Sequence, residues 1–155
     1  IYQLTWKAGI GYTYNKTSFE VIESFTYEGE GWGLTHDGKN LIMSNGSSIL
    51  RFLDPVTLTE VSTIEVMNDG SPVDMLNELE YVNGIVYANV WMTDYVACID
   101  PGSGSVRGWL DLSELRRHLD YSDDIDVLNG IAYHGNHFYL TGKLWPNIFK
   151  LKFTR

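Results

Sequence analysis

Four residues beyond Tyr2, Leu41, Tyr87 and Tyr139 stand Trp6, Asn45, Trp91 and Lys143. Two indoles, an amide and an ammonium at one repeated spacing are an odd set for solvated loop tips. A second recurrent set is Gly31-Trp32, Asn77-Glu78 and Asn129-Gly130, each just ahead of an apolar run. If the fold gathers both sets, the indoles wall an apolar pocket and a few polar groups orient a small ligand inside it, the usual make-up of a small-molecule site. Each residue also has a structural reading. A Trp can pack between neighbouring sheets. Asn77 and Asn129 can be turn residues or backbone caps. Lys143, between Gly142 and Trp145-Pro146, can be a solvated tip, and Glu78 and Glu80 on either side of Leu79 fit a strand with one outward face.

The spacing comes from internal repetition. Residues 37–55 (DGKNLIMSNGSSILRFLDP) align without a gap on 83–101 (NGIVYANVWMTDYVACIDP), an offset of 46. A third copy at 135–151 lies 52 residues further on when Tyr87 is matched to Tyr139, and Ile1 to Trp6 align with Val86 to Trp91. Each copy reads as a short strand, a DG, NG or GN turn, a strand, a polar tip and a strand ending near Asp-Pro. A fourth strand follows, at Glu60–Val66 and Arg107–Asp111. The turn dipeptides supply the positive φ of a tight hairpin, and Pro55 and Pro101 cannot donate to a ladder. Four strands in about 45–50 residues are one blade of a β-propeller. One helical signal interrupts the series: Leu112, Leu115 and Leu119 within 111–119, with Asp111 or Ser113 able to cap the start.

The 155 residues hold about 3.4 such repeats, fewer than the ~4 blades that close a ring. The expectation is therefore an all-β chain forming the C-terminal part of one propeller domain. A blade tail spans 1–30, and blades start near 31, 77 and 129. A compact β-sandwich is the alternative.

Charge and composition exclude several classes. Eleven basic against 20 acidic residues give a net charge of −9, without the Lys/Arg cluster a nucleic-acid binder needs. No apolar run reaches the ~18 residues of a membrane helix. The single Cys98, in an apolar run, cannot build a disulfide framework and reads as a small buried hydrophobe. His36, His118, His134 and His137 lack metal-ligand spacing. Asp120, Asp123, Asp124 and Asp126 lack the Gly and closing Glu of a calcium loop and read as a solvated acidic loop. Asn15-Lys-Thr17 and Asn45-Gly-Ser47 are glycosylation acceptors by pattern only. No nucleotide-binding or nucleophile-elbow motif is present, so no cofactor and no metal are expected.

Leu4-Thr-Trp-Lys7, Gly29-Glu-Gly-Trp-Gly-Leu-Thr35, Leu76-Asn-Glu-Leu-Glu80, Ala88-Asn-Val-Trp91, Asp126-Val-Leu-Asn-Gly-Ile-Ala132 and Thr141-Gly-Lys-Leu-Trp-Pro146 stand in this order. From Ile1 to about Lys152 the chain resembles the plant-type glutaminyl cyclases, which also occur in bacteria. The resemblance implies a five-bladed propeller without a catalytic metal that converts an N-terminal glutamine to pyroglutamate and releases ammonia. It implies a peptide or protein substrate with N-terminal glutamine, a secreted or periplasmic location, and a monomer once further N-terminal blades are present. The family's pocket tryptophans match Trp6, Trp32 and Trp91, its asparagine Asn77 and its lysine Lys143. With those roles Asn77 and Lys143 would donate to the carbonyl oxygen, and the second recurrent set adds Glu78 and Asn129 as substrate-binding residues. The family's catalytic glutamate falls ahead of the segment that matches Ile1, so this chain alone is expected to lack it. A non-enzymatic propeller that binds peptides in a central funnel is the alternative function.

Overall fold

In the computed structural model, which describes residues 1–119 and 124–153, regular structure is almost entirely antiparallel sheet. The first sheet holds β1 (Tyr2–Leu4), β2 (Ile10–Tyr14) and β3 (Val21–Thr26). The second holds β4 (Gly33–His36), β5 (Leu41–Ser44), β6 (Ile49–Leu53) and β7 (Glu60–Glu65). A two-stranded ribbon, β8 (Met67–Asn68) and β9 (Ser71–Pro72), precedes the sheet of β10 (Leu76–Val82), β11 (Ile85–Val90), β12 (Tyr95–Ile99) and β13 (Val106–Asp111). The last sheet holds β14 (Leu128–His134), β15 (His137–Gly142) and β16 (Phe149–Leu151). Each larger sheet is a meander, its strands bonded in sequence order.

The turn chemistry explains this regularity. Asn83 and Gly84 (φ 50° and 88°) join β10 to β11, and Gly135 and Asn136 (φ 56° and 65°) join β14 to β15. Both central residues are left-handed, which matches the twist of the flanking strands. A second turn recurs at the Asp-Pro positions. Asp54 Oδ1 accepts from the N–H groups of Val56 and Thr57, Asp100 Oδ1 from Gly102 and Ser103, and Asn15 Oδ1 from Thr17 and Ser18. In each case the backbone then closes four residues on, at Leu58, Gly104 and Phe19, all with positive φ. Asn15 is therefore the first sheet's counterpart of Asp54 and Asp100.

Apolar strand faces meet between successive sheets. Leu41, Met43, Leu53 and Leu58 pack with Leu4 and Phe25 of the first sheet. Ile42, Leu50 and Phe52 pack against Leu76, Leu79 and Val86. Val82 and Val96 pack with Leu128, Ile131, Phe138 and Leu140 of the last sheet. A fully buried Ile or Leu contributes about 1.5–3 kcal/mol, so these seams fix how one sheet sits on the next. Gly33 marks one close approach: a Cβ there would lie 2.1 Å from the Asn77 carbonyl oxygen.

Two local expectations change. Residues Ser113–His118 form a 3₁₀ helix whose N-cap is Leu112, and no side chain caps it. Asp111 Oδ1 accepts instead from the Ser113 N–H, as a turn. The leucines at 112 and 115 are three apart, the 3₁₀ period, and the tighter winding buries both. The ribbon β8–β9 was not expected, although Asn68-Asp69-Gly70 is a hairpin turn by composition. Of the acidic run, Asp120 and Asp123 lie outside the described residues. Among the described residues no helix is long and apolar enough to cross a membrane.

Candidate active site

Two kinds of backbone position converge at one end of the sheets. The first is the tip after a strand: Trp6 follows β1, Trp91 follows β11 and Lys143 follows β15. The second is the start of a sheet's first strand: Gly31 and Trp32 precede β4, Asn77 lies in β10 and Asn129 in β14. These seven residues line one cavity of about 350 Å³. Both β10 and β14 leave regular register here, between Leu76 and Leu79 and between Leu128 and Ile131. Such bulges re-aim side chains, and Asn77 and Asn129 are the residues they turn.

The indoles are held in different ways. Trp32 and Trp91 meet edge to face, with centroids 5.5 Å apart and planes at 81°. A Cβ on Gly46 would lie 2.8 Å from the Trp32 ring, so only glycine lets the tip after β5 pass behind it. The Trp91 N–H donates to the Met75 carbonyl, and the Met75 N–H to that of Gly46, tying two tips together. Trp6 stands at the mouth, 60% exposed.

The polar groups divide into engaged and free. The Asn77 carbonyl accepts from the Ser44 hydroxyl at 2.5 Å. Among the described residues, the Asn77 side-chain amide and the Lys143 ammonium have no hydrogen-bond partner. Asn129 Oδ1 accepts from the Glu78 N–H at 3.4 Å. The cavity thus offers two free N–H donors opposite apolar rings, a setting that can stabilise negative charge growing on an oxygen. None of its seven lining residues carries a carboxyl group.

Glu78 does not line the cavity. Its Oε2 accepts from the Ile131 N–H at 3.0 Å, and Glu80 Oε1 from the Tyr133 N–H at 2.9 Å, so both carboxyl groups clasp β14 to β10. Burial pushes the Glu78 carboxyl up to about 8; the Ile131 bond opposes this and the Glu80 charge adds to it. Burial also raises Glu80. Asn45 shares the register of Trp91 but is spent locally, its Oδ1 accepting from the Ser47 hydroxyl and N–H. Among the described residues no three His, Cys, Asp or Glu side chains gather as a ligand set. Burial raises the Cys98 thiol to about 11.

Sequence reasoning missed Glu30 and Asn89. Glu30 Oε2 accepts from both the Trp6 and Trp32 indole N–H groups, at 2.5 and 2.7 Å. Asn89 is fully buried opposite the β10 bulge, and its Oδ1 accepts from the Gly130 N–H at 3.3 Å. Neither falls in the two registers that repetition singled out, so repetition gave no signal for them.

The glutamine cyclotransferase family model matches residues 1–153. A glutaminyl-peptide cyclotransferase of Arabidopsis thaliana is 41% identical over 157 residues, covering 98% of this chain and 49% of that protein. The chain therefore spans about half the length of this curated relative. The crystal structure of Myxococcus xanthus glutaminyl cyclase superposes with a TM-score of 0.90 at 38% identity, over 96% of this chain and 66% of that one. The WD40 β-propeller domain of Doa1 gives a TM-score of 0.58 at 14% identity, over 95% of this chain and 45% of that domain, a likeness of fold alone.

Proposed function

Because the chain belongs to the glutamine cyclotransferase family, we propose that the cavity binds the N-terminal glutamine of a peptide and serves its cyclisation to pyroglutamate. The observation that carries this reading is that Asn77 and Lys143, two donors without a partner among the described residues, line one cavity with Trp6, Trp32 and Trp91. In the reaction the substrate's α-nitrogen attacks its own γ-amide carbon. The new C–N bond closes a five-membered ring, the bond to the amide nitrogen breaks, and one proton passes from the α-amine to the departing ammonia. Holding amine and amide in reach supplies much of the rate as effective concentration. Asn77 and Lys143 donate to the carbonyl oxygen as it gains charge. The tryptophans enclose the glutaminyl side chain and exclude water that would hydrolyse the amide. Asn129 borders the substrate and holds the Glu78 backbone, while Glu78 acts through β14. A carboxylic acid must relay the proton; none of the seven lining residues carries one, so we assign the relay to a carboxyl group outside this set.

The same proposal includes a five-bladed propeller to which these sheets contribute a tail over 1–30 and blades starting near 31, 77 and 129. It includes a monomeric, secreted or periplasmic whole protein. Incubation of the whole protein with Gln-Phe-Ala should remove one ammonia from the peptide by mass. An unchanged mass with saturable binding would replace the reading with a peptide-binding scaffold.

A further inference from the structure

We propose that Glu30 is a positioning residue that sets the substrate wall by bracing two indoles with one carboxylate oxygen. The inference rests on the cavity's being the glutamine site. Trp6 lies on the tip after β1 and Trp32 at the entry to β4, on different sheets. The Gly31 N–H donates to the Trp6 carbonyl at 3.0 Å, which joins the two backbones and leaves the indole rings to be set by side-chain contacts. Glu30 Oε2 supplies one to each ring, at 2.5 Å from the Trp6 Nε1 and 2.7 Å from the Trp32 Nε1. An indole N–H can only donate, and an ionised carboxylate is its strongest protein acceptor.

The brace continues in both directions. Lys7 Nζ lies 4.1 Å from the Trp6 ring centroid, a cation on the ring whose N–H Glu30 holds. Beyond Trp32 comes the edge-to-face contact with Trp91, and behind it the Cβ-free Gly46. Trp6 is largely exposed, so packing alone orients it weakly and the hydrogen bond adds to that hold. The bonds from Trp32 and then Trp6, with Lys7 nearby, hold the Glu30 carboxyl below the usual range, which keeps it charged. Glu30 follows Gly29, whose φ of 80° turns the chain so that Gly31 and Trp32 enter the cavity wall.

The test compares Glu30→Ala, Glu30→Asp and Glu30→Gln in the whole protein, with near-UV circular dichroism and with KM and kcat for Gln-Phe-Ala. Glu30→Ala should weaken the indole bands and raise KM at least ~5-fold, with a smaller change in kcat, since one or two hydrogen bonds to the wall are lost. Glu30→Asp keeps the charge but is one methylene short of both rings, and should behave like Glu30→Ala. Glu30→Gln keeps an acceptor oxygen at the right reach, and should restore the indole bands and bring KM within about twofold of the parent. Wild-type indole bands in a folded Glu30→Ala protein would overturn the brace. So would a Glu30→Gln protein indistinguishable from Glu30→Ala, because charge alone would then be at work. If the unsubstituted protein cyclises nothing, the catalytic reading fails, and the indole bands still decide whether Glu30 holds the rings.

Discussion

Replacing Glu78 by Gln should flatten the pH dependence of stability. The Glu78 carboxyl is pushed from 4.5 to about 8, chiefly by burial between β10 and β14. Below pH 4.5 the folded and unfolded chains both carry its proton, and the group makes no difference between them. As pH climbs toward 8 the unfolded chain releases the proton that the folded chain keeps, so stability is lost across this window. The gap, at about 1.4 kcal/mol for each pH unit, sets a ceiling of about 5 kcal/mol above pH 8. Gln cannot ionise in either state, and its amide oxygen can still accept from the Ile131 N–H. Glu78→Gln should therefore match the parent near pH 4.5 and exceed it by about 2–5 kcal/mol at pH 8. Glu80 is shifted the same way and is present in both proteins; because its charge helps raise Glu78, its contribution cancels only in part. Denaturant unfolding of the two proteins at pH 5, 6.5 and 8 measures this directly. Parallel stability curves would refute the argument, showing that Glu78 is ionised in the fold and held as a carboxylate by β14.

Trp91→Ala removes the edge contact to Trp32, worth about 0.5–1.5 kcal/mol, and should lower kcat/KM at least ~10-fold with the fold kept; a large fall in melting temperature with unchanged kcat/KM would mean Trp91 only packs. Phe19 holds a left-handed φ of 58° with its side chain 69% exposed, so Phe19→Gly should raise stability by about 0.5–1 kcal/mol in thermal unfolding, as relief of strain outweighs the added chain entropy. Prolonged EDTA should leave cyclisation of Gln-Phe-Ala unchanged; complete loss that zinc restores would assign the reaction to a bound metal.

The sheets were legible because each repeat spells its own turns. Asn83-Gly84 and Gly135-Asn136 are placed by residues that tolerate positive φ, and apolar alternation fixes the faces between them. The cavity residues were legible for the same reason: matching positions in successive repeats point to the same place. Trp6, Trp91 and Lys143 share one register, and Gly31-Trp32, Asn77 and Asn129 another. Repetition is blind to what differs between copies. Asn45 stands in the register of Trp91 yet bonds its own turn through Ser47, and the bulge that re-aims Asn77 sends the neighbouring Glu78 into the seam with β14. Glu30 was invisible because its partners are two indoles 24 and 2 residues away, a contact set by three-dimensional packing. The 3₁₀ winding at Ser113–His118 was likewise decided by which leucines the seam could bury.

The central claim is that Lys143 and Asn77 stabilise the oxyanion of a cyclising glutamine. Its most direct measurement is kcat/KM for Gln-Phe-Ala in the whole protein carrying Lys143→Met, a side chain of similar length without the ammonium. Lys143 forms no ion pair among the described residues, so the melting temperature should hold. The account expects a loss of about 10²–10³-fold, the usual cost of one oxyanion donor. A Lys143→Met protein that keeps kcat/KM within about twofold of the parent would contradict it.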